Sequence, residues 1–505
     1  MRVKGCAREI GAAIDQAVRS RCLAAAILAV FSAAAASAQA PEKNWSEILA
    51  ADARSLRQTY LESHPGAVDP ENPAFRRRLE AGLVRAQERA RSADSFGAYW
   101  WAMREYIAAF EDGHVHIETT SAAPELPARW PGFLTREVAG RHIVATGEGL
   151  PGLPAVGSQL IGCDGIGASQ LAADVVGRFR GRWNLGSQHE MHAWRLFLDA
   201  GNPYAALPKR CAFTDGRTQQ TYDLVYRPMS KELFQQESGK VSAAYRGPTE
   251  ARQFGTNGLW ISMGSFSGDT STEQGKAISS LVKGLEKDQA RLGRVAVIVL
   301  DVRGNGGGSS TWGDKIAALV WGKAIADAAK PQPAGIDWRP SRANIAAVEE
   351  YARASGIGFF TRMFIGQVVS GMKAALASGQ PLWREKAPPR EGSAARAALR
   401  QASVQPRKVY ILTDGGCASA CLDAMDVWTR AGAIPIGRET SADSLYMEIR
   451  KQALPSGLAT ITVPMKVYRG RARGLNVSYK PVHEFAGDMK DQQAVETWVA
   501  SLVSR

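Results

Sequence analysis

Residues 408–426 read KVYILTDGGCASACLDAMD: an apolar run, a turn with two glycines, and apolar residues spaced by three and four. The run predicts a buried strand, and the later pattern predicts a helix that begins at the turn. Ser419 stands at this corner, between Cys417 and Cys421. It can be a helix N-cap, the simpler interpretation of this stretch alone, or a nucleophile that a tight strand-to-helix turn exposes.

Three further apolar runs have the same character and are widely spaced along the chain. They are GLWISMGSF (258–266), RVAVIVLDVRG (294–304) and GAIPIGRET (432–440), with helical patterns between them. Strands that are apolar on both faces are typical of a sheet covered by helices on both sides. The sequence therefore predicts an α/β fold.

The beginning of the chain has the pattern of a secretory signal peptide. A basic leader precedes the short apolar run CLAAAILAVFSAAAASA (22–38), which ends in small residues. We expect cleavage after Ala38 and a periplasmic or secreted protein. A retained membrane anchor is the alternative interpretation.

The residue pattern changes twice after this signal. Helical patterns come first, short strands with glycine turns follow, and the widely spaced apolar strands come last. These changes predict four regions: a signal peptide at 1–38, an N-terminal helical region at 39–127, a β-rich module at 128–228, and an α/β domain at 229–505 with an insertion at about 325–405.

The insertion is basic and contains one long apolar helical pattern. This segment, GFFTRMFIGQVVSGMKAALA (358–377), is predicted to pack on the domain or on a partner subunit. A lid or a membrane-touching element is the alternative.

The overall composition is that of a soluble globular protein with excess positive charge. The chain has 505 residues, 22% of them charged, and a formal net charge of +13. This charge is compatible with association with anionic envelope surfaces or acidic peptides, although a solvated surface is the simpler explanation. No nucleic-acid-binding motif is present, and a homo-oligomer stays open.

The stretch DVRGNGGG (301–308) passes from an apolar strand through three consecutive glycines into a helical pattern. Such a loop can direct backbone N–H groups at a ligand oxygen beside a helix N-terminus. It lacks the spacing of a dinucleotide motif and the Lys-Ser/Thr of a phosphate loop, so no cofactor is expected. An oxyanion hole built from the N–H groups of Gly306 and Ala420 fits better. A tight structural turn is the alternative.

A second candidate stretch, FEDGHVHIE (110–118), contains two histidines where a helical pattern changes to a strand pattern. His114 and His116 would share one face of a strand, which allows a metal pair. No further metal-binding motif accompanies them, so a general base is the favoured interpretation and no metal is expected.

The order of these motifs resembles the tail-specific, or C-terminal processing, serine peptidases. A helical region with DGH is followed by VGSQLIGCDG (156–165), similar to the core of a PDZ-like domain, then by DVRGNGGG and ASAC. The closer match is the branch related to the catalytic core of tricorn protease. This resemblance implies a crotonase-like α/β spiral domain with a PDZ-like module. It also implies Ser419 as nucleophile, His114 as base, and Gly306 in the oxyanion hole.

The chain departs from this family at three points. The processing branch has a lysine in a Gly-Lys-Gly string after the serine. Here no lysine follows Ser419 until Lys451, which disfavours a Ser-Lys pair. Leu422 stands where an acidic residue is usual. Asn476 stands where the tricorn-like branch has a glutamate that orients the base, and Glu448 is a second candidate for that role.

The resemblance implies an exported serine-type endopeptidase that acts on proteins or peptides through a Ser-His acyl-enzyme. A ligand-binding protein on the same scaffold and an esterase are the alternatives. Of the three pairings open to the four cysteines after the signal, we expect Cys163–Cys211 and Cys417–Cys421.

Overall fold

The four apolar runs form neighbouring strands of one sheet. The computed structural model describes residues 43–242, 245, 247–353, 359–385, 397–400 and 407–503. The predicted signal peptide, 1–38, lies outside the described residues.

Three helices come first along the described chain, and strands and helices follow in mixed order. The helices are α1 (Trp45–Ser63), α2 (Pro73–Ala90), α3 (Phe96–Ala108), α4 (Ala168–Ala172), α5 (Arg178–Arg180), α6 (Gly186–His192), α7 (Lys231–Val241), α8 (Glu273–Lys287), α9 (Gln289–Arg294), α10 (Thr311–Trp321), α11 (Lys323–Ala329), α12 (Arg342–Arg353), α13 (Phe359–Ala377), α14 (Ala420–Arg430) and α15 (Gln492–Val503). Shorter helical turns are Pro65–Ala67, Ala173–Gly177 and Ala193–Phe197. The strands are β1 (Ile117–Thr119), β2 (Arg129–Trp130), β3 (Phe133–Val138), β4 (Arg141–Gly147), β5 (Gln159–Cys163), β6 (Ile166–Gly167), β7 (Arg210–Thr214), β8 (Gln219–Asp223), β9 (Arg227–Pro228), β10 (Glu250–Phe254), β11 (Gly258–Ser262), β12 (Val297–Asp301), β13 (Gly335–Trp338), β14 (Trp383–Glu385), β15 (Lys408–Thr413), β16 (Ile434–Gly437), β17 (Tyr446–Ala453), β18 (Ala459–Arg469) and β19 (His483–Glu484).

The main sheet has the strand order β10-β11-β12-β15-β16-β19. Only β10 is antiparallel to its neighbour, and the other strands are parallel. Leu300 of β12 pairs with Ile411 of β15, and both side chains are fully buried. Helices α8, α10 and α14 pack on one face, and α15 packs on the other. The loops after β12 and β15 therefore meet at the carboxyl edge of the sheet, where open α/β sheets bind ligands.

A second sheet is antiparallel and carries the N-terminal helices. Its order is β1-β18-β13-β14, and β17 also pairs with β18. Tyr60 of α1, Met103 of α3 and Ile461 of β18 belong to one buried cluster. The helical pattern at the N-terminus thus forms a layer on this sheet, because its apolar face needs a partner to cover it.

A third sheet lies within the predicted β-rich module. Its strands β3-β4-β5-β7-β8 are antiparallel, and β6 pairs with β5. Cys163 of β5 and Cys211 of β7 are direct register partners and form a disulfide. This cysteine pairing is confirmed, whereas the predicted boundaries at 127/128 and 228/229 stay predictions.

Part of the predicted insertion extends the second sheet through β13 and β14. Val368 and Met372 of α13 are buried against Ile345 of α12, while Met363 and Phe364 in its first half are exposed. The second half therefore packs on the domain, as expected. Residues 354–358, 386–396 and 401–406 of the insertion lie outside the description. Among the helices that are described, none is both long and apolar enough to cross a bilayer.

Candidate active site

Ser419 lies at the sharp corner between β15 and α14. Its backbone has φ 56° and ψ −123°, a conformation that residues other than glycine rarely adopt. The residue occupies the N-cap position of α14, yet its side chain caps no backbone N–H of the helix. Ser419 thus stands at the N-cap but its side chain does not cap the helix, and the hydroxyl is available for another partner.

That partner is the imidazole of His114. Its Nε2 lies 3.2 Å from Ser419 Oγ, although the two residues are 305 positions apart. His114 is 9% exposed, whereas Ser419 is partly exposed. Solvent or a ligand can therefore reach the hydroxyl while the ring stays shielded. An imidazole in this position can take the hydroxyl proton as the oxygen attacks a carbonyl carbon.

The second sheet holds the segment that carries His114. Thr462 of β18 donates a hydrogen bond from Oγ1 to the His114 carbonyl at 2.6 Å. The same Oγ1 accepts the backbone N–H of His116 at 2.8 Å. The His116 side chain is exposed, so the structure brings only the first histidine of the pair to Ser419.

Asp112 supplies a buried carboxylate beside the base. Its Oδ1 accepts the backbone N–H of His114 at 2.7 Å. Burial raises the pKa of Asp112, and the charge and N–H of His114 oppose that rise. Asp112 Oδ2 and His114 Nδ1 are both buried without a partner in the described part of the chain. Sequence reasoning missed this aspartate, although it stands inside the DGH string.

Asn476, predicted to orient the base, does not form that hydrogen bond. Its Nδ2 donates to the carbonyl of Glu111 at 2.6 Å, and its Oδ1 is buried without a partner among the described residues. It therefore contacts the backbone just before the DGH string instead of the ring of His114. The carboxylate of Glu448, the second candidate, pairs with Lys466 at 3.1 Å and is committed there.

The glycine run after β12 packs directly against the serine turn. A Cβ on Gly307 would lie 2.8 Å from Ala420 N and 2.8 Å from Ser419 Cβ. The N–H of Gly307 donates to Asn305 Oδ1 at 2.9 Å. The N–H groups of Gly306 and Ala420 have no hydrogen-bond acceptor among the described residues. Both N–H groups are therefore available, and their role as an oxyanion hole stays a prediction.

The Asp414 carboxylate bonds to both the glycine loop after β12 and the serine turn after β15. Its Oδ1 accepts the N–H of Gly304 at 2.8 Å and the N–H of Gly416 at 2.9 Å. Burial raises the pKa of Asp414 to about 7. A Cβ on Gly416 would lie 2.8 Å from the Cα of Gly304, so the two backbones approach too closely for a side chain. This contact holds the glycine loop next to the serine.

Asp443 connects the serine to the segment that carries Asn476. Its Oδ1 accepts the backbone N–H of Ser419 at 3.1 Å. Its backbone carbonyl accepts the N–H of Asn476 at 2.7 Å. Its Oδ2 faces Arg473 at 3.4 Å, and Arg473 also pairs with Asp426 of α14 at 3.0 Å. Nothing in the sequence motifs pointed to Asp443.

A disulfide joins Cys417 and Cys421 on either side of Ser419, and both cysteines are fully buried. Two positions four apart within a regular helix hold their side chains too far apart for this bond. Here α14 begins at Ala420, so Cys417 lies in the turn before the helix. The predicted pairing is confirmed.

Among the comparisons with known proteins, only the search of solved structures finds similar proteins. A scan against protein-family models finds no match, and neither does a search of the curated proteins. The crystal structure of mature CPAF aligns over 92% of this chain and 98% of its own, with a TM-score of 0.57 and 11% identity. This chain shares the fold of mature CPAF. A serine-to-alanine mutant of CPAF aligns over 92% of this chain and 99% of its own, with a TM-score of 0.58 at 11% identity. The complex of mature CPAF with lactacystin gives a TM-score of 0.57.

The resemblance to tail-specific proteases is thereby confirmed as a similarity of fold, and the α/β class with it. A photosystem II D1 C-terminal processing protease also matches, at 13% identity, over 89% of this chain and 96% of its own. Its TM-score of 0.32 does not establish a shared fold. The similarity to CPAF does not distinguish the tricorn-like branch, which stays a prediction.

Proposed function

We propose that this protein is a serine-type endopeptidase that cleaves protein or peptide substrates through an acyl-enzyme. The observation that carries this proposal is the 3.2 Å contact between His114 Nε2 and Ser419 Oγ. The serine occupies a backbone conformation that costs about 1–3 kcal/mol in other proteins. Such strain is kept where it serves a function, and here it exposes the hydroxyl.

The residues present can carry both halves of the reaction. His114 Nε2 takes the proton of Ser419 while Oγ bonds to the scissile carbonyl carbon. The N–H groups of Gly306 and Ala420 then hold the oxyanion. When the carbon–nitrogen bond breaks, the imidazolium gives its proton to the leaving amine. Water, deprotonated by His114, attacks the acyl ester, and the serine recovers its proton as the carboxylic acid leaves.

The surrounding groups position these atoms. Asp112 places a carboxylate near the imidazolium that forms on His114, which compensates for the absence of a glutamate at position 476. Asp443 holds the backbone of Ser419 and the backbone of Asn476 at once. Asn476 in turn donates to the carbonyl of Glu111, so this aspartate connects the serine turn to the segment that carries the base.

We further propose that the main sheet and its helices form a crotonase-like spiral, that the third sheet is a PDZ-like module, and that the protein is exported. Two disulfides in one chain support export, because disulfides persist in oxidising compartments. Mass spectrometry of the N-terminus of the mature protein tests the location. We expect it to begin at Gln39, and an intact leader on a cytosolic protein contradicts export.

A fluorophosphonate probe tests the nucleophile directly. Purified protein should be labelled, and Ser419→Ala should remove the label completely. Ser310→Ala is the matched control, because Ser310 is an exposed serine close by whose hydroxyl donates to Asp423. His114→Ala should slow labelling by about 10³-fold or more, as in other serine–histidine pairs. His116→Ala should have little effect, and an equal loss in both histidine variants contradicts the assignment of the base.

The same experiment separates the two alternative functions. No labelling of folded protein indicates a ligand-binding protein, an outcome favoured by the unpartnered Nδ1 of His114. Labelling together with hydrolysis of esters but not of peptides indicates an esterase. Cleavage of unfolded protein substrates that requires Ser419 supports the proposed endopeptidase.

A further inference from the structure

Three arginines on neighbouring elements have no carboxylate partner among the described residues. Arg104 is on α3, Arg180 ends α5, and Arg195 lies in the helical turn 193–197. All three side chains are partly exposed. None of them forms a salt bridge with any carboxylate in the part of the chain that the structure describes. We call this set the arginine cluster.

Packing between the elements brings the three arginines to one region, because Val176, just before α5, and Leu196 of the turn 193–197 belong to one buried cluster. Arg104 Nη2 donates to the carbonyl of Phe179 at 3.1 Å, one residue before Arg180. Arg195 Nη1 lies 2.9 Å from His192 Nδ1. Burial and then the charges of Arg195 and Arg104 lower the pKa of Arg180. The pKa values of Arg104 and Arg195 fall to about 10, so both stay charged at neutral pH.

Other arginines on this side of the molecule do have a carboxylate nearby. Glu105, the residue after Arg104, pairs with Arg178 at 2.7 Å. The same carboxylate lies 3.7 Å from Arg85 and 3.7 Å from Arg89. One acid thus lies near three arginines on this side of α3, whereas no carboxylate in the described part of the chain pairs with the arginine cluster. Uncompensated like charges destabilise a folded protein, and they are typical of a site whose ligand supplies the opposite charge.

A fourth arginine links this cluster to the proposed active site. Arg182 Nη1 donates to the carbonyl of Ala442 at 2.6 Å, beside Asp443. A Cβ on Gly113 would lie 2.8 Å from the same nitrogen, and His114 is the next residue. Arg182 is separated from Arg180 by a single glycine. The cluster therefore begins on the side of the site that carries the base. A peptide that occupies the site next to His114 would consequently pass within reach of Arg182 and of the cluster that begins beside it.

We propose that Arg104, Arg180 and Arg195 bind acidic side chains of the peptide substrate, so that the enzyme takes segments rich in aspartate or glutamate. This inference rests on the proposed peptidase function. Guanidinium groups bind carboxylates through two parallel hydrogen bonds, which suits a row of acidic side chains. Three such groups exceed what one terminal carboxylate can satisfy.

Binding to the Ser419→Ala protein tests the proposal without turnover. Four fluorescent peptides are compared by anisotropy: one rich in glutamate and its glutamine counterpart, each with a free or an amidated C-terminus. The glutamate peptide should bind at least about tenfold more tightly than the glutamine peptide, and amidation should change little. Affinity should fall as salt rises. Equal affinity of the glutamate and glutamine peptides, or a preference that disappears on amidation, overturns the proposal.

Single substitutions then identify which arginines bind the acidic peptide. Arg180→Gln and Arg195→Gln should each weaken the glutamate peptide by about tenfold and leave the glutamine peptide unchanged, while Arg180→Lys should keep part of the affinity. Arg217→Gln is the matched control, because Arg217 is exposed in the β7–β8 turn and only its backbone N–H is bonded to Asp215. Equal losses in the control contradict the assignment, as do unchanged affinities in both cluster variants.

Probe labelling separates this proposal from the proposed function. Arg180→Gln and Arg195→Gln on the wild-type serine should still react with the fluorophosphonate, which carries no acidic peptide. If labelling persists and the charge preference is absent, the specificity proposal fails while the peptidase proposal stands. Thermal unfolding of each variant identifies a folding defect, and the variant that unfolds like the wild type then decides the outcome.

Discussion

The Oδ1 atom of Asp443 accepts the backbone N–H of Ser419 at 3.1 Å, so an aspartate outside every recognisable motif holds the proposed nucleophile. The bond acts on a residue with a positive φ, whose conformation is unfavourable in isolation. The other oxygen of the same carboxylate faces Arg473 at 3.4 Å. One side chain therefore holds the serine turn and also contacts a buried guanidinium that pairs with Asp426.

Asp443→Ala should reduce turnover per folded molecule by about tenfold or more, because the serine backbone loses its anchor. It should also lower the free energy of unfolding by roughly 1–3 kcal/mol, since the N–H of Ser419 loses its acceptor while Arg473 keeps its pair with Asp426. Asp443→Asn keeps an oxygen for the N–H of Ser419 and should recover most of the turnover. Titration with the fluorophosphonate counts the folded sites. Equal turnover per site in the alanine and asparagine variants contradicts a positioning role.

The glycine run should respond differently at two adjacent positions. Gly307→Ala places a Cβ 2.7 Å from the Ala418 carbonyl and 2.8 Å from Ala420 N, at a φ of 95°. The serine turn must move, and turnover should fall by about 10²-fold, the usual consequence of disturbing an oxyanion donor. Gly306→Ala meets no atom within 4 Å and keeps the N–H, so its kcat should stay near that of the wild type. Steady-state kinetics of the two variants measures the difference, and a reversed order contradicts the observed packing.

One disulfide should mainly support stability, and the other should mainly support activity. Replacing Cys163 and Cys211 by alanine removes a disulfide between positions 48 apart in sequence. It should lower the free energy of unfolding by about 4 kcal/mol. Turnover per folded molecule should not change. Replacing Cys417 and Cys421 by alanine should destabilise less, because that loop is short, yet it should lower turnover by loosening the serine turn. Denaturant unfolding and site titration on both double variants check this, and loss of turnover in the first pair alone contradicts it.

Asp414 should make stability depend on pH. Its pKa rises from 3.8 to about 7 in the folded protein, so the native state binds the proton more tightly than the unfolded chain does. This contribution to stability is fully present below about pH 4 and is lost as pH rises through 7, at up to roughly 1.4 kcal/mol per pH unit. Asp414→Asn resembles the protonated form and should remove this dependence. Denaturant unfolding of both proteins between pH 4 and 8 measures it. A stability difference between them that does not vary with pH contradicts the shift.

The α/β class could be predicted from the sequence because it depends on local patterns. Uniformly apolar strands with helices between them have few other ways to bury their surface, and four of them became neighbours in the main sheet. The pairing of Cys417 with Cys421 could also be anticipated, since it depends only on where α14 begins. The same local pattern left Ser419 ambiguous between cap and nucleophile, because both roles occur at a helix N-terminus.

The base and its surroundings were decided by tertiary contacts. His114 reaches Ser419 because β1 pairs with β18 in the second sheet, while the serine follows β15 in the main sheet. No periodicity in the chain encodes a contact across 305 positions. Asn476 was expected at the imidazole, but its amide is bonded to the backbone at Glu111. Asp443, Asp414 and the arginine cluster have no sequence signature, because their roles depend on burial and on partners that only the packing of distant elements brings together.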